Sequence, residues 1–352
     1  MTEIGSNKME VTGTIVKGEF KTCLVTVTYG NRFEFLSQVI SAARKIGVHE
    51  IIVVDNNSSP ESKKKLSALE KRYDDLMTVI TLEENKGSSG GFKAGLLYAQ
   101  KNTQCEYVWL LDDDNVPDDD ALTELFKVCE KMLSKYSHDS FALVSLRKDR
   151  EQFKKVAGGV AVKDVFPLKS SFRGFDLFQK IKKLFLKANR KKRFDPSKNT
   201  PSAIRIPFAP YGGLFFHKSI LLRVGFPNDK FFVYSDDHEY TYRLTSSNGR
   251  IYLVPGSNVT DVDQSWTSVR KKFFNFPLLL TTESDQKIYY SVRNHAYLDR
   301  KVWCDNLFRY FLNKYCYLFL LGILAIVKRD FNRFLLIVNA VNTGESLKVE
   351  NH

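Results

Sequence analysis

Short apolar runs rich in β-branched residues alternate with amphipathic stretches through the first 140 residues. Thr22–Tyr29 (TCLVTVTY) reads as a strand that stops at Gly30-Asn31-Arg32, and Phe33–Ile46 has helical spacing. Glu50–Val54 predicts a second buried strand, ending at Asp55-Asn56-Asn57-Ser58-Ser59-Pro60, and Glu61–Tyr73 a charged helix. Met77–Leu82 predicts a third strand. Asn85–Gly91 reads as a Gly/Ser loop opening a helix through Tyr98. Tyr107–Leu111 predicts a fourth strand and Ala121–Tyr136 a helix. This order implies an α/β fold: a Rossmann-like, mostly parallel sheet with helices on both faces. In such sheets ligands bind at the carboxyl ends of the strands, where each polar motif of this half falls.

Beyond about Ser140 the alternation weakens. Pro201–Val233 mixes short apolar runs with Gly212-Gly213 and Pro227, Tyr234–Leu244 is polar with helical spacing, and Gly249–Val259 is strand-like. Lys287–Val327 reads as a helical C-terminal module. Its longest apolar stretch, Tyr315–Val327, is thirteen residues between Lys314 and Lys328-Arg329. That is short of the ~20 a bilayer needs. It predicts a buried helix, or one lying on a membrane surface with basic flanks on anionic lipid.

The charge is lopsided. A formal net charge of +13 points to an acidic partner: nucleic acid, a phosphorylated small molecule or an anionic membrane face. Lys180–Arg193 holds eight basic residues and no acid, which fits a solvated loop or an electrostatic patch for membrane or anionic acceptor. Five scattered cysteines form no CxxC pair, which argues for a reducing compartment and against zinc. Met1–Phe20 is polar and reads as a loose arm or edge strand, not a signal peptide.

Three consecutive aspartates, Asp112-Asp113-Asp114, follow the fourth strand. Either they are a solvated turn before a helix start, or a block of oxygen ligands whose mutual repulsion a hard dication would relieve. Asp55 ends a buried strand, and either accepts hydrogen bonds from a base or ribose or caps the next helix as an Asx turn. The Gly-rich segment Asn85–Gly95 lacks both the P-loop and the GxGxxG pattern, though its backbone N–H groups could approach phosphate. A second acidic cluster, Asp236-Asp237-His238-Glu239, has Arg243 one turn after Glu239. Two adjacent carboxylates in a cleft can deliver one general base, the alternative being an exposed acidic helix start.

Taken together these pieces resemble the family 2 glycosyltransferases of the GT-A fold. Within them the chain is similar to the galactofuranosyl- and rhamnosyltransferases of bacterial polysaccharide assembly, O-antigen and cell wall included. The matching segments are Val27–Arg32, Ile52–Ser58, Asn85–Phe92, Trp109–Asp114, Ser235–Arg243 and Tyr289–Asn294, in the family's order. The resemblance implies an N-terminal arm (1–21), a GT-A catalytic domain (22–285, with a nucleotide half 22–140 and an acceptor half 141–285) and a helical module (286–352). It implies that Asp55 contacts base or ribose, flanked by Thr28, Tyr29, Arg32 and Asn57. Asn85, Gly90, Gly91 and Phe92 would shape the sugar and phosphate pocket. Asp112 and Asp114 would sit at Mn²⁺ or Mg²⁺, with Asp113 touching the sugar or ribose. Asp237 takes the place of the catalytic base, with Asp236 beside it and Glu239 and Arg243 as further substrate contacts. Where many relatives place a metal-binding His, this chain has Asp261, with Asp263 close by. Asp261 is a competent hard ligand; otherwise the metal relies on Asp114 and the diphosphate alone.

The implied activity is an inverting, metal-dependent transfer of galactofuranose from UDP-galactofuranose to a lipid-linked glycan, at the inner face of the plasma membrane. The alternatives are rhamnose from dTDP-rhamnose, a nucleotidyltransferase or a non-catalytic nucleotide-sugar binder. Nucleic acid is disfavoured as a partner, because the acidic clusters sit where a polyanion would have to dock.

Overall fold

A computed structural model describes residues 20–166, 169–185, 201–263, 279–280 and 284–349. Residues 1–19 of the predicted N-terminal arm and residues 186–193 of the basic run lie outside them. In chain order the first half runs β1 (Thr22–Gly30), α1 (Phe33–Lys45), β2 (Glu50–Ser58), α2 (Pro60–Arg72), β3 (Met77–Thr81), α3 (Gly87–Asn102), β4 (Tyr107–Asp112), β5 (Asn115–Pro117), α4 (Ala121–Leu133) and β6 (Phe141–Arg147). The second half contributes α5 (Glu151–Ala157), α6 (Val162–Val165), α7 (Leu177–Phe185), β7 (Ile204–Ile206), β8 (Leu214–His217), α8 (Ser219–Val224), α9 (Asp236–Ser246) and β9 (Arg250–Asp261). Three helices follow: α10 (Asp285–Tyr297), α11 (Leu307–Lys328) and α12 (Phe331–Ser346).

The described strands form one sheet in the order β3-β2-β1-β4-β8-β6-β9-β5, with β7 paired to β9. The first four are parallel, as their alternation with helices requires. β8 then inserts antiparallel to both β4 and β6. The sheet is therefore mixed: the strands of the nucleotide half are parallel, and beyond β8 the pair β6–β9 is parallel again. β8 is reached from the short runs after Pro201 without a crossover helix, so it runs the other way.

Side chains alternate along β1 as a two-sided strand demands. Cys23, Val25 and Val27 enter one apolar cluster with α3 (Phe92, Leu96), while Leu24 enters the other with α1 and α4 (Leu36, Leu125). A third cluster joins α10, α11 and α12 through Ile288, Val292, Tyr310, Leu321, Ile337 and Val341, and reaches back to Phe172 and Phe175. The helical module is thus built partly from the middle of the chain, not from residues 286–352 alone.

Two expectations change in detail. The Gly/Ser stretch is helix from Gly87 onward rather than a loop to Gly91. The apolar stretch Tyr315–Val327 lies in the 22-residue α11, which is long and apolar enough by length and composition to cross a membrane. It is not a buried helix: Tyr310, Tyr317, Leu321 and Ala325 turn inward, while Phe308, Phe319, Ile326 and Val327 are exposed.

Candidate active site

Strand register sets the acidic edge. Thr28 pairs with Asp55 and Val27 with Asp112, so three candidate residues end neighbouring strands at one level. Across the sheet, Arg147 pairs with Val259 and Asn115 with Asp261, which brings the end of β6 and the long-range β5–β9 pair to the same rim. Gly213 donates its N–H to Leu110 O (2.8 Å), which sets Gly212 beside Asp112.

Two arginines organise the carboxylates. Arg32 donates through Nε to both oxygens of Asp113 (2.9 and 3.0 Å), through Nη2 to Asp114 Oδ2 (2.6 Å) and through Nη1 to Asp263 Oδ2 (2.6 Å). Thr28 Oγ1 also donates to Asp113 (2.8 Å). The Arg32 guanidinium lies over the half-exposed Tyr29 ring (5.5 Å). Arg147, fully buried, donates to Asp112 Oδ2 (2.7 Å), Asp261 Oδ2 (2.9 Å) and Asp149 (3.1 Å). Burial opposes its charge, but these three carboxylates outweigh burial and hold the Arg147 pKa above its usual value. Burial pushes Asp113 up to about 7 against the pull of Arg32, and pushes Asp261 up to about 7 with help from Asp114. Asp114 is raised by burial and by Asp112.

Asp55 is buried and its Oδ1 accepts from Ser58 N, three residues on (2.7 Å), closing a turn at the end of β2, while α2 is capped by Ser59 rather than by Asp55. Asn57, at φ 61°, points outward and accepts from Lys63. The buried neighbour Asn56 does the organising that sequence reading missed. Its amide donates to Asn85 Oδ1 and Gly87 O, and its Oδ1 accepts from Lys86 N. Gly90, Gly91 and Phe92 do not join the acidic rim. A Cβ on Gly91 would stand 2.4 Å from Val27 Cγ1, and Phe92 packs on Tyr211 at 4.4 Å between ring centres. Gly91, with Gly95 against Val25 one turn on, permits close approach of α3 to β1, whereas Gly90 faces Lys86 at the start of its own helix.

The second acidic cluster opens α9. Asp236 is buried, accepts from Ser88 Oγ (2.7 Å), and is raised well above the carboxylate range by burial and then by Asp237. Asp237 is partly exposed; its Oδ1 accepts from His238 N (2.8 Å) and stands 3.9 Å from His238 Nε2. Glu239 pairs with Arg243 (3.1 Å), which in turn donates to Val224 O and Phe226 O, tying α9 to the end of α8. The loop before α9 has three non-glycine residues at positive φ: Phe232 (63°), Tyr234 (67°) and Ser235 (60°). Arg293 donates to Lys230 O and Phe231 O, and Asn294 to Phe231 O, Val233 O and Tyr234 O, pinning that loop from α10. The Tyr289–Asn294 segment therefore supports the base helix from behind.

Ser88 links the second cluster to the strand ends: it follows Gly87, whose carbonyl accepts from Asn56 at the end of β2, and its hydroxyl donates to Asp236. Asp112 raises Asp236, and Arg150, lowered to about 10 by burial and by Arg147, is pulled back up by both Asp112 and Asp237. Hard oxygen donors face each other across this rim, and buried Asn115 leaves its Oδ1 unpaired beside Asp112. Among the described residues no three His, Cys, Asp or Glu converge as a ready-made cage. Such a donor set fits a cation held by one or two carboxylates plus substrate phosphate, as Mg²⁺ commonly is.

Comparison with known proteins bears on the strands and helices from β1 to the start of α5. The profile described as Glycosyl transferase family 2 matches residues 23–151. Over those residues the chain matches the family 2 glycosyltransferase domain. The domain's rim is the one built above from β1, β2 and β4. The chain is 24% identical over 228 residues to the galactofuranosyltransferase GlfT1 of Mycolicibacterium smegmatis, covering 64% of this chain and 65% of that protein. It is 25% identical over 227 residues to the low-salt glycan biosynthesis hexosyltransferase Agl10 of Haloferax volcanii, covering 63% of each. The chain thus spans just under two thirds of the length of these curated relatives. Among solved structures, GalNAc-T7 with UDP, GalNAc and Mn²⁺ superposes with a TM-score of 0.50 at 16% identity, over 78% of this chain and 54% of that one. The fold around the domain is GT-A, with a mixed sheet and a helical C-terminal region.

Proposed function

We propose that the protein is an inverting hexosyltransferase that moves a sugar from a nucleoside diphosphate donor to a hydroxyl acceptor. One observation supports this reading: Asn56 at the end of β2 donates to Gly87 O (2.9 Å), and the next residue, Ser88, donates to Asp236 in the first turn of α9 (2.7 Å), so the second acidic cluster opens at the edge where the parallel strands end. Thr28, Tyr29, Arg32 and Asp55 form the nucleotide side, and Asp237 the acceptor side. Asp112 and Asp114 would hold Mn²⁺ or Mg²⁺ against the diphosphate. A dication there supplies Lewis-acid neutralisation of the leaving group. Asp237 accepts the proton of the attacking hydroxyl while buried Asp236, bonded to Ser88, fixes the start of α9. A single displacement opposite the leaving group inverts the anomeric centre.

Galactofuranose is the sugar that the name of the galactofuranosyltransferase relative supports; UDP-galactofuranose is the donor proposed here, with dTDP-rhamnose the alternative. A lipid-linked glycan acceptor, with the protein resting on the inner membrane face, fits the exposed apolar side of α11 beside Lys328 and Arg329. Asp237→Asn should lower transfer by about 10²–10⁴-fold and leave UDP binding within about twofold, by radiolabel transfer and calorimetry. Retention of more than about 5% of turnover would place the base elsewhere. In the same assay EDTA should stop transfer and Mn²⁺ or Mg²⁺ restore it.

A further inference from the structure

An open cavity of about 690 Å³ lies between α6, β7 and the end of α9, and shares no residue with the acidic rim. That is the size of a small-ligand site. Val162 of α6, Phe166 just after it and Ile206 of β7 give it an apolar wall, with Phe166 and Ile206 buried. Thr245, in the last turn of α9, closes one side and donates to Pro207 O (2.7 Å), which fixes the end of β7 against that helix. Lys163, Lys169 and Arg205 also line it, and among the described residues no acid does. Lys163 and Arg205 make no ion pair among the described residues. Lys169 stands 3.8 Å from Asp305 with both side chains exposed, a pair that holds it only weakly.

Phe208 ties this cavity to the proposed base. Its ring meets Phe166 at 5.1 Å and His238, next to Asp237, at 4.4 Å between ring centres. One aromatic ring therefore separates the cavity wall from the first turn of α9. Along that helix, the rise from Asp237 to Thr245 is about 12 Å. A short oligosaccharide bridges such a span. The lining selects what stands at its far end. A purely polar anion would leave the apolar wall wet, and a plain hydrocarbon would leave the cations without a counter-charge. Three cations match a phosphate or diphosphate better than the single charge of a carboxylate.

We propose that this cavity is a second ligand site, which takes a phosphate or diphosphate carried on an apolar chain and seats that end of the acceptor while the acceptor's free hydroxyl reaches Asp237. The class of ligand stands on the cavity alone, and its use in transfer rests on the acceptor reading above. Lys163, Lys169 and Arg205 hold the headgroup, and Phe166 and Ile206 the first part of the chain. These residues set acceptor affinity and take no part in proton transfer.

The test is calorimetry on the full chain in EDTA, so that no metal-held diphosphate at the strand ends contributes. The probes are geranyl diphosphate, pyrophosphate, geraniol and dihexanoyl phosphatidic acid. Geranyl diphosphate should bind at least about tenfold tighter than pyrophosphate or geraniol. The double variant Lys163→Glu, Lys169→Glu should weaken it by about tenfold or more and leave the Tm unmoved. Val162→Trp, which fills the cavity, should weaken it as well. In the transfer assay above, geranyl diphosphate should compete with the acceptor and not with the nucleotide sugar. The double variant should raise its inhibition constant about tenfold and keep kcat within about twofold of the wild type. The site is overturned if geranyl diphosphate binds no tighter than pyrophosphate, or if the double variant binds it as the wild type does. Tighter binding of phosphatidic acid would give the cavity to a membrane lipid and overturn its acceptor role, as would inhibition that competes only with the nucleotide sugar. If the calorimetry turns out as expected but the wild type transfers nothing, the transfer reading falls, and the acceptor role with it, while the ligand site stands.

Discussion

At the scale of single residues, glycines and arginines set the site as much as carboxylates do. Gly91 is the clearest case, since its α-hydrogen faces Val27 of β1 where a methyl group would overlap. Gly91→Ala should cost about 1–3 kcal/mol in urea unfolding, and Val27→Ala in the same chain should return part of that loss. An unchanged midpoint for Gly91→Ala would mean that α3 has room to shift. The aspartates were legible in sequence because an apolar strand delivers its following residues to a sheet edge, whatever the rest of the fold does. Arg147 and Asn115 were not. An Arg at the end of a strand and an Asn after an acidic run have no periodic signal, and the antiparallel insertion of β8 and the long-range pairing of β5 with β9 set them beside Asp112. Asn56 was passed over for its neighbour Asn57 because which side of β2 each faces depends on the turn that Asp55 closes.

At the scale of elements, the end of α10 carries a buried titrating group away from the proposed chemistry. Asp299, in the π-helical turn Leu298–Val302, accepts from Arg173 N (2.7 Å) and is pushed up to about 7 by burial, which the Arg173 backbone bond and charge only partly offset. A carboxyl whose folded value exceeds its unfolded value of about 3.9 binds its proton more tightly when folded. Its contribution is full below about 3.9 and is lost as pH rises to about 7. Asp299→Asn keeps an acceptor for Arg173 and removes that loss. Its stability relative to the wild type should therefore rise by on the order of a few kcal/mol between pH 4 and pH 7, measured by denaturant unfolding at several pH values. A pH-independent difference would mean that Asp299 does not titrate there. Most element boundaries of the first half were readable from periodicity, because each strand is apolar on both faces and each helix on one. The second half was harder. β7 and β8 are only three and four residues long, too short for periodicity to register.

At the scale of the whole molecule, one flank of the helical module is apolar and open to solvent. Phe308 (76% exposed), Phe319 (68%) and Val327 (74%) of α11 lie on it, and Phe178 and Ile181 of the neighbouring α7 are exposed with Lys180 and Lys182. Liposome flotation should show the protein rising with anionic vesicles and staying down with neutral ones, and Phe319→Glu should weaken the association by about tenfold or more. Equal behaviour on both vesicle types would remove the electrostatic part of that reading. The same module reaches the chemistry by a second route. Gly344 of α12 sits so close to Arg293 that a methyl group there would strike the Arg293 carbonyl, and Arg293 with Asn294 braces the contorted loop ahead of α9. Trimming the C-terminus after α11 to obtain a better-behaved protein would thus remove the backstop of the acceptor side. The shortened product should bind UDP normally and transfer nothing.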